Sequence, residues 1–164
     1  MRSDRPVVVF DCMIYLQGLI KESGPSVECL ELFDSGAVTL VVSDEILEEI
    51  ADVLTRPKLQ AKYSRLTRER ADKLVEILRK SARLLENISA RFKYPRDAKD
   101  EKYINTAIEA NADYVVSRDN DLLDLMTSHA DEAKEFRRKF RHLKIVDPIE
   151  FLRIIREKDL AIKP

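Results

Sequence analysis

Short apolar runs, separated by segments long enough for helices, constrain this chain most. Val7-Val8-Val9-Phe10-Asp11, Val38–Val42 and Asp113–Ser117 are rich in β-branched residues and do not alternate apolar with polar side chains. A strand without alternation is covered on both faces, which is the situation of a parallel sheet. Parallel neighbours need crossover connections, and the segments between these runs carry helix signals. The expected class is therefore α/β: a three-layer α/β/α sandwich with a mostly parallel central sheet.

The helix signals are local and physical. Pro25-Ser26 opens a helix that runs to about Asp34 and is stopped by Ser35-Gly36. Ser43 is placed to cap the next helix, with Asp44 and Glu45 where the helix dipole favours them. Ile46, Leu47, Ile50, Val53 and Leu54 form its inward face, and it ends before Pro57. Thr67 caps a long helix to about Leu84, with Ala71, Leu74, Val75 and Leu78 facing in. Residues 86–96 read as irregular, with a short strand near Leu84–Ile88 and a loop marked by Pro95. Asp100 begins a helix with Ile104, Ala107 and Ile108 inward, ending near Asn111. Asp121–Met126 and His129–Phe140 follow as helices, then a strand at Leu143–Val146. Pro148 starts a terminal helix with Phe151, Leu152 and Ile155 inward.

At 164 residues the expectation is a single domain spanning 1–164, with a basic helical arm at about 56–83. No apolar stretch approaches the roughly 20 residues that cross a membrane, and Met1–Pro6 leads into no signal-peptide core. The expected compartment is the cytoplasm, where Cys12 and Cys29 stay reduced. Net charge is −1, yet the charges are segregated. Residues 22–52 carry nine acidic groups and no Lys or Arg, whereas 56–83 hold ten basic groups against three acidic ones. A second basic stretch covers 134–144. Such a distribution sets a basic footprint beside an acidic centre.

Four acids punctuate this map: Asp11 ends the first strand, Glu49 lies on the second turn of the helix after the second strand, Asp100 opens a helix, and Asp119 follows Asp113–Ser117. In an open parallel sheet ligands bind at the carboxyl edge of the strands. Carboxylates gathered there repel one another unless a cation compensates them, and hard ions such as Mg²⁺ or Mn²⁺ take oxygen ligands. Phosphate is the natural substrate beside such an ion. Taken singly, Asp100 reads equally well as a helix cap and Asp119 as a turn residue, and spacing alone does not separate Glu49 from Glu45, Glu48 and Asp52.

The order of these pieces resembles the PIN-domain ribonucleases, in the branch of toxin components of toxin–antitoxin pairs. The likeness is carried by Val8-Val9-Phe10-Asp11, by Val42-Ser43-Asp44-Glu45-Ile46-Leu47-Glu48-Glu49-Ile50, and by Val53-Leu54-Thr55-Arg56-Pro57-Lys58-Leu59. It continues in Arg96-Asp97-Ala98-Lys99-Asp100, in Ala112-Asp113-Tyr114-Val115-Val116-Ser117-Arg118-Asp119-Asn120-Asp121-Leu122-Leu123, and in Ile149-Glu150-Phe151-Leu152. The resemblance implies that Asp11, Glu49, Asp100 and Asp119 are the catalytic, metal-binding quartet of a Mg²⁺- or Mn²⁺-dependent endoribonuclease. It also implies a supporting hydroxyl at Ser117 and neighbouring metal or water ligands at Asp97 and Asp121. Expected partners are RNA, an antitoxin protein and a second copy of the chain.

Within this reading Arg56, Lys58, Lys62 and Arg65 are expected to hold an RNA backbone, with Tyr63, Phe92, Tyr94 and Tyr103 as stacking candidates whose more ordinary role is packing. One position departs from the family. Where a small hydroxyl residue and Asn usually follow the first Asp, this chain has Cys12-Met13. Loss of the Asn would loosen Asp11 unless Asn105 or Asn120 substitutes, which leaves a catalytically weakened RNA- or protein-binding module as the alternative. Met13 also stands where a haloacid-dehalogenase-like phosphatase would carry its second Asp, which disfavours that class.

Overall fold

The computed structural model describes residues 5–162, with side chains to residue 159; Met1–Asp4, Lys163 and Pro164, part of the 1–164 expectation, lie outside the described residues. Five strands form one sheet: β1 (Val7–Phe10), β2 (Thr39–Ser43), β3 (Arg83–Leu85), β4 (Tyr114–Val116) and β5 (Lys144–Val146). Their spatial order is β3-β2-β1-β4-β5 and every pair is parallel. The register sets Val8 beside both Leu40 and Tyr114, and Phe10 beside Val116. Chain order runs outward from β1 to β3 on one side and from β4 to β5 on the other. The carboxyl ends of β1 and β4 therefore flank the crevice where the winding reverses, which is where open α/β sheets bind ligands.

Helices cover both faces of the sheet, giving the three-layer α/β/α sandwich. They are α1 (Cys12–Ile20), α2 (Pro25–Asp34), α3 (Asp44–Leu54), α4 (Pro57–Lys62), α5 (Arg68–Ser81), α6 (Glu101–Glu109), α7 (Asn120–Leu123), α8 (Asp131–Lys139) and α9 (Pro148–Ile162). α1 packs on α2 and α3, α2 on α9, and α3 on α5, whereas α6 lies over β1, β2 and β4. Val8, Val9, Phe10, Val41, Val42, Val115 and Val116 are wholly buried, as the absence of alternation requires. Phe10 meets Phe151 edge-on at 6.1 Å between ring centroids, joining β1 to the terminal helix.

Local signals place the ends of these elements. The Ser43 hydroxyl accepts from the Ile46 amide and the Thr67 hydroxyl from the Arg70 amide, each satisfying one orphan donor of a helix start. Three differences stand against the sequence reading. The segment Cys12–Ile20 is a helix that no periodic pattern announces, because Ile14, Tyr15, Leu16 and Leu19 make it apolar on several sides. The helix capped by Thr67 stops at Ser81, and Arg83–Leu85 pairs with β2 as an edge strand. The segment after Pro95 is a 3₁₀ helix, Pro95–Asp100, that runs directly into α6.

Candidate active site at the carboxyl edge

The crevice is built from the loops that leave β1 and β4 and from the 3₁₀ helix before α6. Asp11 follows β1; its backbone N–H extends the ladder to Val116 O at 3.1 Å, and its side chain caps α1 by accepting from the Ile14 amide at 3.2 Å. The second Asp11 oxygen accepts from the Ser117 hydroxyl. Ser117 is wholly buried at the end of β4, and its Oγ accepts in turn from the Asp119 amide at 2.9 Å. One hydroxyl thus links the ends of β1 and β4 and fixes the turn that presents Asp119. Asp119 caps α7 through the Asp121 amide at 2.8 Å.

Asp100 ends the 3₁₀ helix, and its side chain makes no capping bond to α6. The cap role left open by sequence is therefore not what holds this carboxylate. Its Oδ2 is buried without a hydrogen-bond partner, an expensive arrangement for a carboxylate. Ligand atoms of Asp97, Asp100 and Asp119 all lie within 4.8 Å of one another. Burial, reinforced by Asp119 and Asp97, pushes the Asp100 carboxyl up to about 8, and burial pushes Asp11 up to about 6 against the pull of the Ser117 hydrogen bond. At neutral pH Asp100, raised to about 8, holds its proton unless a cation displaces it, whereas Asp11 is mostly ionised. An all-oxygen donor set with one buried, unmatched oxygen fits a hard divalent cation.

Glu49 borders this group from α3. Its Oε2 lies 2.7 Å from Lys102 Nζ, and its Oε1 accepts from the Tyr103 hydroxyl. That hydroxyl also accepts from the Cys12 amide at 3.1 Å, so Glu49 and the residue after Asp11 share one tyrosine. Glu48 points instead to an exposed groove lined by Asp44, Leu47, Arg79 and Leu84. Tyr103, expected as a stacking group, instead holds Glu49, and Lys102 carries no sequence signal beyond its position in the first turn of the helix that Asp100 opens.

Other expected residues separate by environment. Asp97 joins the acid cluster, whereas the Asp121 carboxylate pairs with Arg96 Nε at 2.7 Å, and the same guanidinium reaches Asp124 at 2.8 Å. Phe92, Tyr94 and Tyr103 are buried and have no ring face to offer a base; only Tyr63 of the four stacking candidates is partly exposed. Asn105 folds onto the backbone of Arg91 and Phe92, and Asn120 is exposed, so the hydroxyl of Ser117 rather than either amide supports Asp11. Met13 is 43% exposed and takes no part in the Asp11 hydrogen bonds.

The side chains of Arg56, Lys58, Lys62 and Arg65 are exposed. Arg56 pairs with Asp52 at 2.8 Å and also acts electrostatically on Cys12 and Glu49, which sets it nearest the crevice. Arg65 faces Glu22 at 3.5 Å, and Lys62 lies 5.2 Å from the Tyr63 ring centroid. Among the described residues no helix is long and apolar enough to cross a membrane.

Comparison with known proteins agrees with this architecture. The chain is 32% identical over 147 residues to an uncharacterized protein of Methanocaldococcus jannaschii, an alignment that covers 88% of each chain. The family profile described as PIN domain matches residues 7–121, from β1 through the Asp119 turn. PIN domains are a superfamily of nucleic-acid nucleases that generally use divalent metals. The chain belongs to the PIN-domain family.

Proposed function

We propose that this protein is a metal-dependent endoribonuclease that hydrolyses RNA phosphodiesters, and that it serves as the toxin of a toxin–antitoxin pair in the cytoplasm. The observation that carries the nuclease reading is the buried, unpartnered Asp100 oxygen within an aspartate triad at the switch-point crevice of a PIN domain. The toxin assignment is supported by the resemblance of the Val42–Ile50, Val53–Leu59 and Arg96–Asp100 segments to that branch.

In this mechanism Asp97, Asp100 and Asp119 would hold Mg²⁺ or Mn²⁺, and Asp11 and Glu49 would supply the remaining acidic groups of the crevice. When bound, such an ion lowers the pKa of a water ligand and compensates charge on the phosphodiester oxygens. The protein's own contribution is positional. Ser117 holds Asp11 and the Asp119 backbone in one arrangement, so neither must reorganise when substrate arrives. Tyr103 and Lys102 hold Glu49 at the margin, where its carboxylate can orient water near the scissile phosphate. Arg56, Lys58, Lys62 and Arg65 contact the RNA backbone, which makes binding salt-dependent and weakly selective for sequence. An antitoxin segment rich in acids would compete for the same basic arm, and a homodimer would extend it.

The alternative of a weakened binding module rests on Met13, and the exposure of that side chain, with both Asp11 oxygens engaged elsewhere, argues against it. The test is cleavage of mixed RNA by the purified protein in Mg²⁺, Mn²⁺ or chelator, beside Asp100→Asn and Asp119→Asn. Cleavage is expected only for the parent with metal. Equal cleavage in chelator, or by both variants, defeats the proposal, and metal-dependent binding without cleavage favours the alternative.

A further inference from the structure

The acids of the crevice are not compensated equally. Among the described residues no Lys, Arg or His pairs with Asp97, Asp100 or Asp119, and the buried Asp100 Oδ2 has no hydrogen-bond partner. Glu49 is the opposite case. Lys102 Nζ sits 2.7 Å from its Oε2, donates also to Lys99 O at 2.5 Å, and lies 5.1 Å from the Tyr103 ring centroid. The Lys102 side chain is only 10% exposed. A lysine this deep is retained where its charge is matched, and Glu49 is the carboxylate that matches it. With Tyr103 on Oε1, both Glu49 oxygens are engaged from within the protein.

This asymmetry limits how many ions the crevice accepts. A divalent ion bound to Glu49 Oε2 would stand within about 5 Å of the ammonium, given metal–oxygen lengths of about 2.1 Å and the observed ion pair. It would have to expel Lys102 from its partner or tolerate a fixed positive charge alongside. At the three aspartates no such competitor exists among the described residues. We infer that Lys102 is the built-in counter-charge of the Glu49 side of the crevice, so that the protein binds a single divalent ion, at Asp97, Asp100 and Asp119, with Lys102 standing where a second ion would otherwise go. Lys102 is in this sense a positioning residue for Glu49, and the inference rests on the metal-dependent reading above.

The experiment counts Mn²⁺ bound per full-length chain, by electron paramagnetic resonance of the free ion and by calorimetry. The parent is expected to bind one ion. Lys102→Met, which keeps the length of the side chain but not its charge, is expected to bind two, and Lys102→Arg to return to one. Glu49→Gln should shift the first ion's affinity by less than about threefold, whereas Asp119→Asn should weaken it by about tenfold or more. Two ions of similar affinity on the parent, or a Glu49→Gln loss equal to that of Asp119→Asn, would overturn the inference even if Lys102→Met failed to fold. One ion without any RNA cleavage would defeat the ribonuclease proposal and leave Lys102 in this role; cleavage with two ions would do the reverse.

Discussion

Replacing Asp11 with Asn removes the charge from a carboxylate that is almost wholly buried while keeping its shape. Burial raises the Asp11 pKa from 3.8 to about 6, with Ser117 and the Ile14 amide pulling the other way and Asp119 adding to the rise. At about 1.4 kcal/mol per pH unit, that gap costs the ionised folded protein about 3 kcal/mol. The sign follows from proton binding. Between pH 3.8 and about 6 the folded state holds the proton more tightly than the unfolded chain, so stability falls as pH rises through that window and levels off above it. Asn does not titrate, can still accept from the Ile14 amide, and can donate to Ser117 Oγ. In chelator, the variant should therefore match the parent near pH 4 and unfold about 6–12 °C higher at pH 8, taking 2–4 °C per kcal/mol for a chain of this size. Thermal unfolding followed by circular dichroism across that pH range is the assay. Saturating Mn²⁺ should narrow or invert the gap, because the parent gains more from ion binding. A variant no more stable than the parent at pH 8 in chelator would refute the claim that the crevice charge opposes folding.

Three further outcomes follow from the same contacts. Ser117→Ala strips a hydroxyl from Asp11 and the Asp119 amide; urea unfolding should show a loss of about 1–3 kcal/mol, and single-turnover cleavage a loss of about 10–100-fold. Arg96→Ala releases Asp121 and Asp124 from the segment that carries Asp97, at exposed pairs worth less than about 1 kcal/mol. Its unfolding midpoint should barely move while Mn²⁺ titration shows weaker binding. Tyr103→Phe leaves the Cys12 amide buried without its partner, so denaturant unfolding should report a cost of about 1–3 kcal/mol even in chelator.

What the sequence discloses here follows the reach of each physical signal. Ser43 and Thr67 announce helix starts because capping acts over three residues, and the structure shows both bonds. β1, β2 and β4 are legible because strands covered on both faces lose alternation. α1 is not, since a helix buried on several sides loses its period for the same reason. The edge strand Arg83–Leu85 is short and largely exposed, so it offers no pattern against the helix preceding it. Among the acids, strand ends alone point to Asp11 and Asp119, while Asp100 and Glu49 needed the family likeness to be singled out. Nothing in the sequence separates Asp97 from Asp121; the difference lies in Arg96, whose two pairs draw Asp121 aside. The Lys102–Glu49 pair spans two helices, and no spacing rule along one chain foresees it.

The bond from Ser117 to Asp11 joins residues 106 apart in the chain, across two strands that are immediate neighbours in the sheet. β1 can pair with β2 early, because only α1 and α2 separate them, but its other edge stays open until β4 has been made. Long-range parallel pairing of this kind comes late in folding, since the loop it closes is long. The acid centre is therefore expected to assemble late, which hydrogen-exchange pulse labelling of the Asp11 amide against the Ile46 amide during refolding would check. A growing chain presents Asp11, Glu49 and Asp100 as unconnected side chains, and their arrangement around one crevice exists only once residues 114–119 have docked on β1. The geometry of the crevice is in this way a readout of completed topology.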